Sequence, residues 1–464
     1  MSDTSPDRIP QIVTGRLAAH DDAHTIARYE ATGGYAGLRA ALELAPDDVT
    51  AQVKEASLLG RGGAGFPAGV KWGFCPPGVW PRYLVVNGDE SEPGTYKDRI
   101  LMERDPHQLI EGILIACYAI GCAQAFLYCR GEMALAHERL GAALNEAYAA
   151  GYIGKNILGT DYSIDVVLHW GAGAYIVGEE TALIESLEGN RGMPRLKPPF
   201  FPAAKGLYLQ PTVVNNVETL SNLPWIMTNG AEAFHALGAE TSRGTRLFAV
   251  SGHVENPGVH EVEFGTTTFR DLIYGHCGGI REGRDLKAFV PGGASSPWFF
   301  EEHLDLPLET KAVGNAGSML GSGAIVVMDS ETDVVKASRT LVRFFAVESC
   351  GKCTPCREGT TWMERILDRI IAGQGRASDV DLLLDVCDNI SPELTWPPKQ
   401  TTICPLGPSA PPSVASIVRR FPEEFERYLG TSFEVTVPMK GAAYVPKPDT
   451  AAAGASGSSG ESPS

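Results

Sequence analysis

Positive charge is scarce in this sequence. Among 464 residues, 39 are Lys or Arg and 56 are Asp or Glu, so the formal net charge is −17 and the pI is near 5.1. A nucleic-acid-binding surface needs clustered basic residues, and this deficit argues against that class of protein. Long apolar runs are also lacking, because the longest one, Leu109–Leu127, contains Glu111, Gln124 and two glycines. Such an interrupted run fits a buried helix followed by a strand better than a membrane span.

A secretory leader is not expected either, because Met1–Pro10 is polar and acidic and has no apolar core. We therefore expect a cytosolic protein that reaches a membrane only through partners. At this length, with 44% hydrophobic residues, the chain should divide into two to four domains. Ten cysteines in a cytosolic protein are not expected to form disulfides. Six of them lie singly, mostly in apolar surroundings, and are interpreted as small core residues: Cys75, Cys117, Cys122, Cys129, Cys277 and Cys387.

The most glycine-rich stretch is Gly60–Trp72, with five glycines in its first ten residues. A backbone with so little Cβ cover can present its N–H groups to an anion at close range. Charged and aromatic side chains are interleaved with these glycines or follow them: Arg61, Phe66, Lys71, Trp72 and Phe74. Amides, cations and flat rings together favour a site for a phosphate joined to an aromatic ring, as in a nucleotide or a flavin. A flexible surface loop is the alternative, although it would not explain the cations and rings.

The glycine pattern itself is weak support for dinucleotide binding. Gly60, Gly62 and Gly65 satisfy G-x-G-x-x-G, but that fingerprint should follow a strand. Here the residues before it predict a helix over 46–59, with Asp47 or Asp48 as its N-cap. The stretch is therefore not an ordinary Rossmann fingerprint.

Strands and helices alternate in the segment that follows. Strands are predicted over 83–86, 125–129 and 164–169, and helices over 106–120 and 133–150, a rhythm typical of a parallel sheet covered by helices. The acidic segment Asn87–Arg99 comes directly after the first strand, where α/β proteins bind ligands. An acidic turn broken by Pro93-Gly94 is the equally plain alternative.

A second glycine-rich loop, Gly171–Gly189, follows a strand and precedes a helix. Glu179 and Glu180 lie where that helix would begin. Carboxylates cannot bind phosphate, but they suit ribose hydroxyls and repel a 2′-phosphate, which favours NADH over NADPH. Further on, Asn215 and Asn216 precede a helical run and serve either as helix caps or as neutral contacts to a ligand.

The last two folded regions differ from the first. Strands over 246–251, 259–264, 287–290 and 323–328, with one helix over 268–276, predict a small β-grasp-like domain that we expect to be a structural spacer. Helices over 334–347, 359–371, 380–388 and 412–429 predict an all-helical region. The residues after Met439 are rich in Ala, Gly, Ser and Pro and are expected to be disordered.

The helical region contains a cysteine motif. Cys350, Cys353 and Cys356 form C-x₂-C-x₂-C, and Cys404 lies far downstream. Three thiolates on a tight loop can bind three irons of a cubane and one remote thiolate the fourth, so the spacing favours a 4Fe–4S cluster. Zinc, which usually takes two separate pairs of ligands, is the alternative.

Taken together, these motifs resemble one known family. They span Gly60–Trp72, Asn87–Arg99, Gly171–Gly189, Asn215–Leu220 and Glu348–Gly359 with Cys404. Their sequence and order closely resemble the flavin- and NADH-binding F subunits (51 kDa type) of NADH–quinone oxidoreductase, respiratory complex I. The resemblance implies an α/β fold with a Rossmann-like FMN/NADH domain, a β-grasp-like (ubiquitin-like) domain and a C-terminal helical bundle carrying the cluster. The corresponding boundaries are a lead-in over 1–45, then 46–240, 245–330 and 332–430, with a tail over 440–464.

The resemblance also implies site residues. FMN contacts are expected at Gly60, Arg61, Gly62, Gly63, Gly65, Lys71, Asn87, Asp89, Glu90, Ser91, Gly178, Glu179, Asn215 and Asn216. The NADH site is expected to be shaped by Phe66, Phe74, Glu92, Glu180 and either Phe200 or Phe201. The cluster ligands are expected to be Cys350, Cys353, Cys356 and Cys404. Val177 stands where the family commonly has cysteine.

The implied activity is oxidation of NADH by hydride transfer to FMN, followed by single-electron transfer to the 4Fe–4S cluster and on toward quinone. Glu92 and Glu180 are expected to orient the nicotinamide or ribose. The expected partners are a thioredoxin-like 2Fe–2S subunit and a large iron–sulfur subunit in the peripheral, cytoplasmic arm of a membrane-bound complex. The alternatives are the diaphorase subunit of an NAD-coupled hydrogenase or formate dehydrogenase, and a non-catalytic subunit whose cluster or zinc ion is only structural.

Overall fold

The computed structural model of the chain describes residues 10–444. The first nine residues of the predicted lead-in, and the predicted disordered tail from residue 445 onward, lie outside the described residues. The chain is still packed where the description ends, since Ala442–Tyr444 forms a short 3₁₀ helix and Tyr444 is buried.

The first half of the chain builds a parallel sheet and the helices around it. Before the sheet come α1 (Gly15–Ala19), α2 (Ile26–Ala31), α3 (Ala36–Leu42), α4 (Pro46–Glu55) and α5 (Ala68–Trp72). The sheet segment comprises β1 (Tyr83–Gly88), α6 (Lys97–Arg104), α7 (Pro106–Ile120), β2 (Gln124–Cys129), α8 (Ala134–Ala149), β3 (Val166–Trp170), α9 (Glu180–Leu187), α10 (Pro202–Lys205) and β4 (Thr212–Asn216). It ends with α11 (Val217–Ser221), α12 (Leu223–Asn229) and α13 (Ala231–His235).

The strand order is β3-β2-β1-β4, and every pairing is parallel. The predicted parallel sheet is confirmed, but β4 is an additional strand that the sequence pattern did not predict, because its polar end resembles a helix cap. In register, Asn87 of β1 lies opposite Asn216 of β4, so the two strands end side by side. Parallel strands bring their carboxyl ends to one edge, and the polar segments after β1, β3 and β4 therefore meet there.

The helix before the glycine-rich stretch is shorter than predicted. Its N-cap is Ala45, Pro46 occupies the first turn, and Asp47 and Asp48 follow inside the helix. Proline fits the first helical turn because its missing N–H would have no partner there. The helix ends at Glu55, and Ser57 takes a left-handed conformation (φ 55°) that turns the chain into the glycine-rich loop.

Successive residues of β1 point to opposite faces of the sheet, as strand geometry requires. Leu84 and Val86 join one core with the N-terminal helices, α7 and α8. Val85 joins a second core on the opposite face, which also contains Phe345 and Cys356 from the C-terminal helices. The helical region therefore covers the second face of the parallel sheet.

A second, mixed sheet follows in the chain. It consists of β7 (Thr245–Gly252), β8 (Gly258–Glu263), β9 (Leu286–Val290) and β10 (Ala324–Asp329), after the small ladder of β5 (Gly238–Ala239) and β6 (Ser242–Arg243). The order is β8-β7-β10-β9, with β7 and β10 parallel at the centre and the outer pairings antiparallel. The predicted helix over 268–276 is a π-helix at Asp271–His276, and α14 spans Thr310–Asn315. This arrangement is the predicted β-grasp-like unit, with a core of its own.

The C-terminal region is helical, as predicted. Its helices are α15 (Val334–Glu348), α16 (Thr354–Ile371), α17 (Ser378–Ile390), α18 (Leu406–Ser409), α19 (Pro412–Val418) and α20 (Pro422–Leu429). The single helix predicted over 412–429 is two helices, because Pro422 cannot continue a helix and instead starts the next one. Between residues 10 and 444, no helix is both long enough and apolar enough to cross a membrane.

Gly112 lets α7 and α11 pack closely in the first core. A Cβ at Gly112 in α7 would overlap the Leu220 carbonyl oxygen of α11. We expect Gly112→Ala to lower the free energy of unfolding by about 1–3 kcal/mol, because neither backbone can move away easily. Thermal unfolding followed by circular dichroism would measure this loss.

The matched control is Gly141→Ala in α8, where the nearest atom to an added Cβ is Leu168 Cδ2 at 3.9 Å. That change should leave stability equal or raise it by up to about 1 kcal/mol, because alanine is the better helix former. Equal losses in the two variants would contradict the packing argument.

Candidate functional site

The glycine-rich stretch forms a closed loop over the carboxyl edge of the parallel sheet. The Gly60 N–H donates to the Phe66 carbonyl (2.9 Å), and Leu59 pairs with Pro67 across the loop base. Gly63 (φ 141°) and Gly65 (φ 65°) have backbone conformations that L side chains rarely adopt, and an added Cβ at either would meet no atom closer than 3.9 Å. The loop therefore presents bare backbone to open space.

Two residues of this loop that were predicted to contact FMN, Gly62 and Arg61, contact other parts of the protein instead. A Cβ at Gly62 would lie 2.9 Å from the Asn216 Cβ, so Gly62 packs against the end of β4. The Arg61 guanidinium is fully buried and donates to the carbonyls of Arg243 (2.8 Å) and Thr245 (2.9 Å). Burial lowers the pKa of Arg61 to about 9. The structure therefore does not bring the Arg61 cation to the open side of the loop, and this side chain fastens the loop to the second sheet.

Asp89 is the buried carboxylate of the site. One of its oxygens accepts a hydrogen bond from the Ser91 hydroxyl, and Oδ1 is buried without a partner among residues 10–444. Burial raises the pKa of Asp89 to about 7. A buried hydrogen-bond acceptor without a donor lowers the stability of the folded protein. Asp89 is therefore suited to a ligand that brings an N–H or O–H group.

The wall opposite Asp89 is formed by the end of the second glycine-rich loop. Asn87 Nδ2 donates to the Gly178 carbonyl (2.9 Å), and Asn87 Oδ1 accepts from the Asp89 N–H (3.1 Å). A Cβ at Gly178 would face Asp89 Oδ2 at 3.6 Å and Ser91 Oγ at 3.8 Å. The strand ends and this loop thus enclose one polar space.

Glu90 caps a helix. Its carboxylate accepts the backbone N–H groups of Asp98 (2.6 Å) and Arg99 (2.7 Å) at the start of α6. Burial and the nearby Asp98 charge raise the pKa of Glu90 to about 8. Both carboxylate oxygens of Glu90 therefore already accept hydrogen bonds from the protein backbone.

The two asparagines after β4 also have internal partners. Asn216 is the N-cap of α11, and its Nδ2 donates to Asp98 Oδ2 (2.6 Å). Asn215 Oδ1 accepts from Trp72 Nε1 (2.9 Å). The cap interpretation, which the sequence left open, is what the structure shows for Asn216.

A charged cluster lies beside this edge. Glu180 lies between two lysines, 3.0 Å from Lys71 Nζ and 2.9 Å from Lys197 Nζ. Burial raises the pKa of Glu180, but the two lysines outweigh burial and keep that pKa below its ordinary value. Glu179 caps α9 by accepting from the N–H groups of Thr181 and Ala182, and it also lies 2.9 Å from Lys197. Lys197 was not identified from the sequence, because only the fold places it next to Lys71.

Exposed aromatic rings surround the loops. Phe66 is 45% exposed and Phe74 54% exposed, and their ring centroids are 5.7 Å apart. Phe201 is 52% exposed, whereas Phe200 is half-buried with the Arg195 guanidinium 5.9 Å from its ring centre. The side chains of Phe66, Phe74 and Phe201 are thus about half exposed to solvent.

Glu92 lies at the boundary between the two sheets. Its carboxylate accepts hydrogen bonds from the hydroxyl of Tyr175 (2.6 Å) and from the hydroxyl and N–H of Ser295 (2.6 and 2.7 Å), in the connection between β9 and β10. Neither partner was identified from the sequence, since they lie 83 and 203 residues away along the chain.

The four motif cysteines occupy one end of the helical region. Cys350 lies in the loop between α15 and α16, Cys353 is the N-cap of α16, and Cys356 lies in its first turn. Burial, and then the neighbouring thiols, raise the pKa of Cys356 to about 11 and that of Cys404 to about 12, and Cys350 contributes to both shifts. Cys404 thus lies close enough to Cys350 and Cys356 for their charges to act on it, although about fifty residues separate them in the sequence.

All four of these thiols are free. Among residues 10–444, no three His, Cys, Asp or Glu side chains form a group that could hold a single metal ion. Each cysteine of a cubane binds its own iron, and these four free thiols have the donor chemistry that such a cluster requires.

Glu348 connects the cysteine segment to the sheet edge. Its carboxylate accepts the Tyr175 N–H (3.0 Å), and it lies two residues before Cys350. The Tyr175 ring packs edge-on against Phe344 at 4.9 Å. The second glycine-rich loop and the cysteine motif are thus held together directly.

Comparisons with known proteins agree with this arrangement. Family models match as the Nuo51 FMN-binding domain over residues 53–225, the SLBB domain over 246–328 and the NADH-ubiquinone oxidoreductase-F iron-sulfur binding region over 336–428. The chain is 50% identical over 427 residues to the F subunit of NADH-quinone oxidoreductase from Streptomyces coelicolor, covering 92% of this chain and 93% of that protein. It is 49% identical over 406 residues to the protein of that name from Mycobacterium bovis, covering 86% and 89%.

A solved structure is also similar. The NAD⁺-reducing [NiFe]-hydrogenase in the air-oxidized state contains a chain that superposes with a TM-score of 0.74 at 33% identity, covering 94% of this chain and 68% of that chain. The hydrogenase alternative is thus represented among the structural matches, at lower identity than these two F subunits.

Proposed function

Because this chain belongs to the family of NADH–quinone oxidoreductase F subunits, we propose that the edge of its parallel sheet binds FMN and that the charged and aromatic cluster beside it binds NADH. The protein is the NADH dehydrogenase subunit of the complex, with FMN and a 4Fe–4S cluster as cofactors and NADH as substrate. A bound FMN would supply the chemistry for taking a hydride from NADH and passing electrons singly to the cluster. The protein positions these groups and tunes their electrostatics.

The observation that carries the FMN assignment is the buried Asp89 carboxylate, which faces Gly178 of the second glycine-rich loop at the carboxyl edge of the parallel sheet. Its partnerless Oδ1 would accept a donor group of the flavin or its side chain. The backbone of the loop would face the phosphate, because its glycines leave the N–H groups accessible. The proposed FMN residues are Gly60, Gly62, Gly63, Gly65, Lys71, Asn87, Asp89, Ser91 and Gly178, with Arg61, Glu90, Glu179, Asn215 and Asn216 supporting them from behind.

We place NADH on the open faces of Phe66, Phe74 and Phe201. Phe201 is chosen over Phe200 because its ring is freer, while Phe200 packs beside Arg195. Glu180 would accept the ribose hydroxyls, and its negative charge would disfavour a 2′-phosphate. Glu92 would meet the nicotinamide or its ribose.

Lys197 should contribute to NADH binding. Its side chain is 29% exposed and lies against Glu179 and Glu180, where a cation can also pair with the pyrophosphate of the nucleotide. We expect Lys197→Ala to raise the KM for NADH about tenfold or more, the effect of losing one charged hydrogen bond. NADH:ferricyanide kinetics of the FMN-loaded protein would measure this change.

Lys205→Ala is the matched control, because Lys205 is exposed at the end of α10. Its KM should stay at the wild-type value. An unchanged KM in Lys197→Ala would remove Lys197 from the proposed site.

The four cysteines would hold the cluster at the N-terminal end of α16. Cys350 and Cys353 are partly exposed, so electrons could leave the protein on that side. The chain is a subunit of an assembly. We propose that its neighbours are a thioredoxin-like 2Fe–2S subunit and a large iron–sulfur subunit, in the peripheral arm on the cytoplasmic side.

Anaerobic addition of NADH to the purified holoprotein tests the whole proposal. The flavin absorbance should bleach and a reduced-cluster EPR signal should appear in the same sample. Bleaching without an iron signal would contradict the cluster assignment. An unchanged flavin spectrum would contradict the assignment of NADH to this site.

A further inference from the structure

The loop that follows β1 is fastened to the SLBB domain along its length. The Tyr96 hydroxyl donates to the Val250 carbonyl of β7 (2.7 Å), and Thr95 Oγ1 lies 2.5 Å from the Ser322 hydroxyl oxygen. Gly94 approaches β10 so closely that an added Cβ would lie 2.7 Å from a methyl group of Val326. The second sheet is therefore more than a spacer for this loop.

The closest of these contacts is at Glu92. The Ser295 N–H (2.7 Å) and hydroxyl (2.6 Å) both donate to Glu92 Oε1. Gly293 (φ 97°) lets the SLBB backbone approach, since a Cβ there would lie 2.6 Å from Glu92 Cγ. Only a glycine at this position permits the two donors to reach the carboxylate.

The other carboxylate oxygen is held from the opposite side. Tyr175 donates its hydroxyl to Glu92 Oε2 (2.6 Å), and its own backbone N–H is bound by Glu348 next to the cysteine motif. Glu92 is thus fixed between the SLBB domain and Tyr175 of the second glycine-rich loop. Hydrogen bonds to a charged acceptor are among the stronger ones in proteins.

We propose that Ser295 is a positioning residue for NADH, which holds the Glu92 carboxylate in the orientation that meets the nucleotide. The SLBB domain thereby takes part in substrate binding. A free glutamate side chain would lose rotamer freedom on binding NADH, and the hydrogen bonds from Ser295 remove that cost beforehand. The inference rests on the proposed role of Glu92.

The test uses the holoprotein with FMN and cluster bound. Ser295→Ala should raise the KM for NADH about tenfold, the effect of losing a hydrogen bond to a charged group, while the FMN content stays at the wild-type value. Ser295→Thr keeps the hydroxyl and should restore most of the affinity. If Ser295→Ala does not fold, Ser295→Cys supplies the same comparison, because a thiol is of similar size and only a weak donor.

Tyr96→Phe is the matched control, since it removes hydrogen bonds from the same loop to the Val250 and Gly258 carbonyls of the same domain and leaves the contacts of Glu92 in place. It should leave the KM unchanged. An equal rise in Tyr96→Phe, or no rise in Ser295→Ala, would overturn the inference.

A double variant separates this inference from the proposed function. Glu92→Gln should itself raise the KM, and adding Ser295→Ala should cause little further change, because residues that act through one another are not additive. A wild-type KM in Glu92→Gln would refute the role proposed for Glu92. Fully additive effects would refute only the positioning role of Ser295 and would leave the role proposed for Glu92 intact.

Discussion

Protein with serine in place of Cys404 is expected to lose its iron–sulfur cluster and keep its FMN. Cys404 comes from a segment remote from the C-x₂-C-x₂-C loop in the sequence. In the folded chain its buried thiol lies near Cys350 and Cys356. A serine hydroxyl is a poor ligand for iron compared with a thiolate. Iron should fall from about four atoms per chain to nearly none, and the reduced-cluster EPR signal should disappear. Iron and FMN are measured on the same sample.

Cys387→Ala is the matched control for that experiment. Cys387 is also fully buried in the helical region, but its sulfur faces Met363 in the core. Its replacement should leave the iron content unchanged. A Cys404→Ser protein with full iron content would mean that another residue completes the cluster.

Asp89→Asn is expected to weaken FMN binding by about ten- to a hundredfold, which corresponds to the loss of one hydrogen bond to a charged group. Asparagine has nearly the same shape, so the change removes the negative acceptor without creating a cavity. Titration of apoprotein with FMN, followed by quenching of flavin fluorescence, would measure the dissociation constant. Wild-type affinity in this variant would contradict the central assignment of the site.

The same residue should make FMN binding depend on pH. The pKa of Asp89 is raised to about 7 in the ligand-free protein, and a donor from FMN would favour the ionised form. Binding then releases a proton, so the affinity of the wild-type protein should rise as the pH increases through about 7 and level off above it. The Asp89→Asn variant should lack this component of the pH dependence.

Asp105→Asn is the matched control for both measurements. Asp105 is likewise buried, has an Oδ1 without a partner among residues 10–444, and has a pKa raised to about 6 by burial. It lies at the N-cap of α7, where it pairs with Arg16. Its replacement should affect stability only. A comparable loss of FMN affinity would mean that burial of charge in general, and not the site, explains the Asp89 result.

Local pattern determined most of the secondary structure. The helix over 106–120 was predicted at its observed limits, and the strands β1, β2 and β3 within two residues, because apolar spacing and glycine or proline boundaries are properties of adjacent residues. The cysteine spacing likewise indicated a group of thiols at one place, since three of them occupy one short loop. The alternation of strands and helices along the chain was enough to predict a parallel sheet.

Long-range contacts could not be predicted in this way. Arg61 looked like a ligand cation, and only the second sheet, nearly two hundred residues downstream, reveals the carbonyls that bury it. Glu90 was expected to contact a ligand, and Asn216 either to contact one or to cap a helix. Which helix each one caps depends on the helix that the fold places beside it.

The sequence by itself thus determined which chemical groups this protein has, and in what order: a bare glycine loop, an acidic strand end, a cysteine cluster. Tertiary structure alone decided which of those groups are left free for ligands. The physical reason is that each buried polar group must find a partner, and those partners, such as Ser295 for Glu92 or Lys197 for Glu180, come from distant parts of the chain.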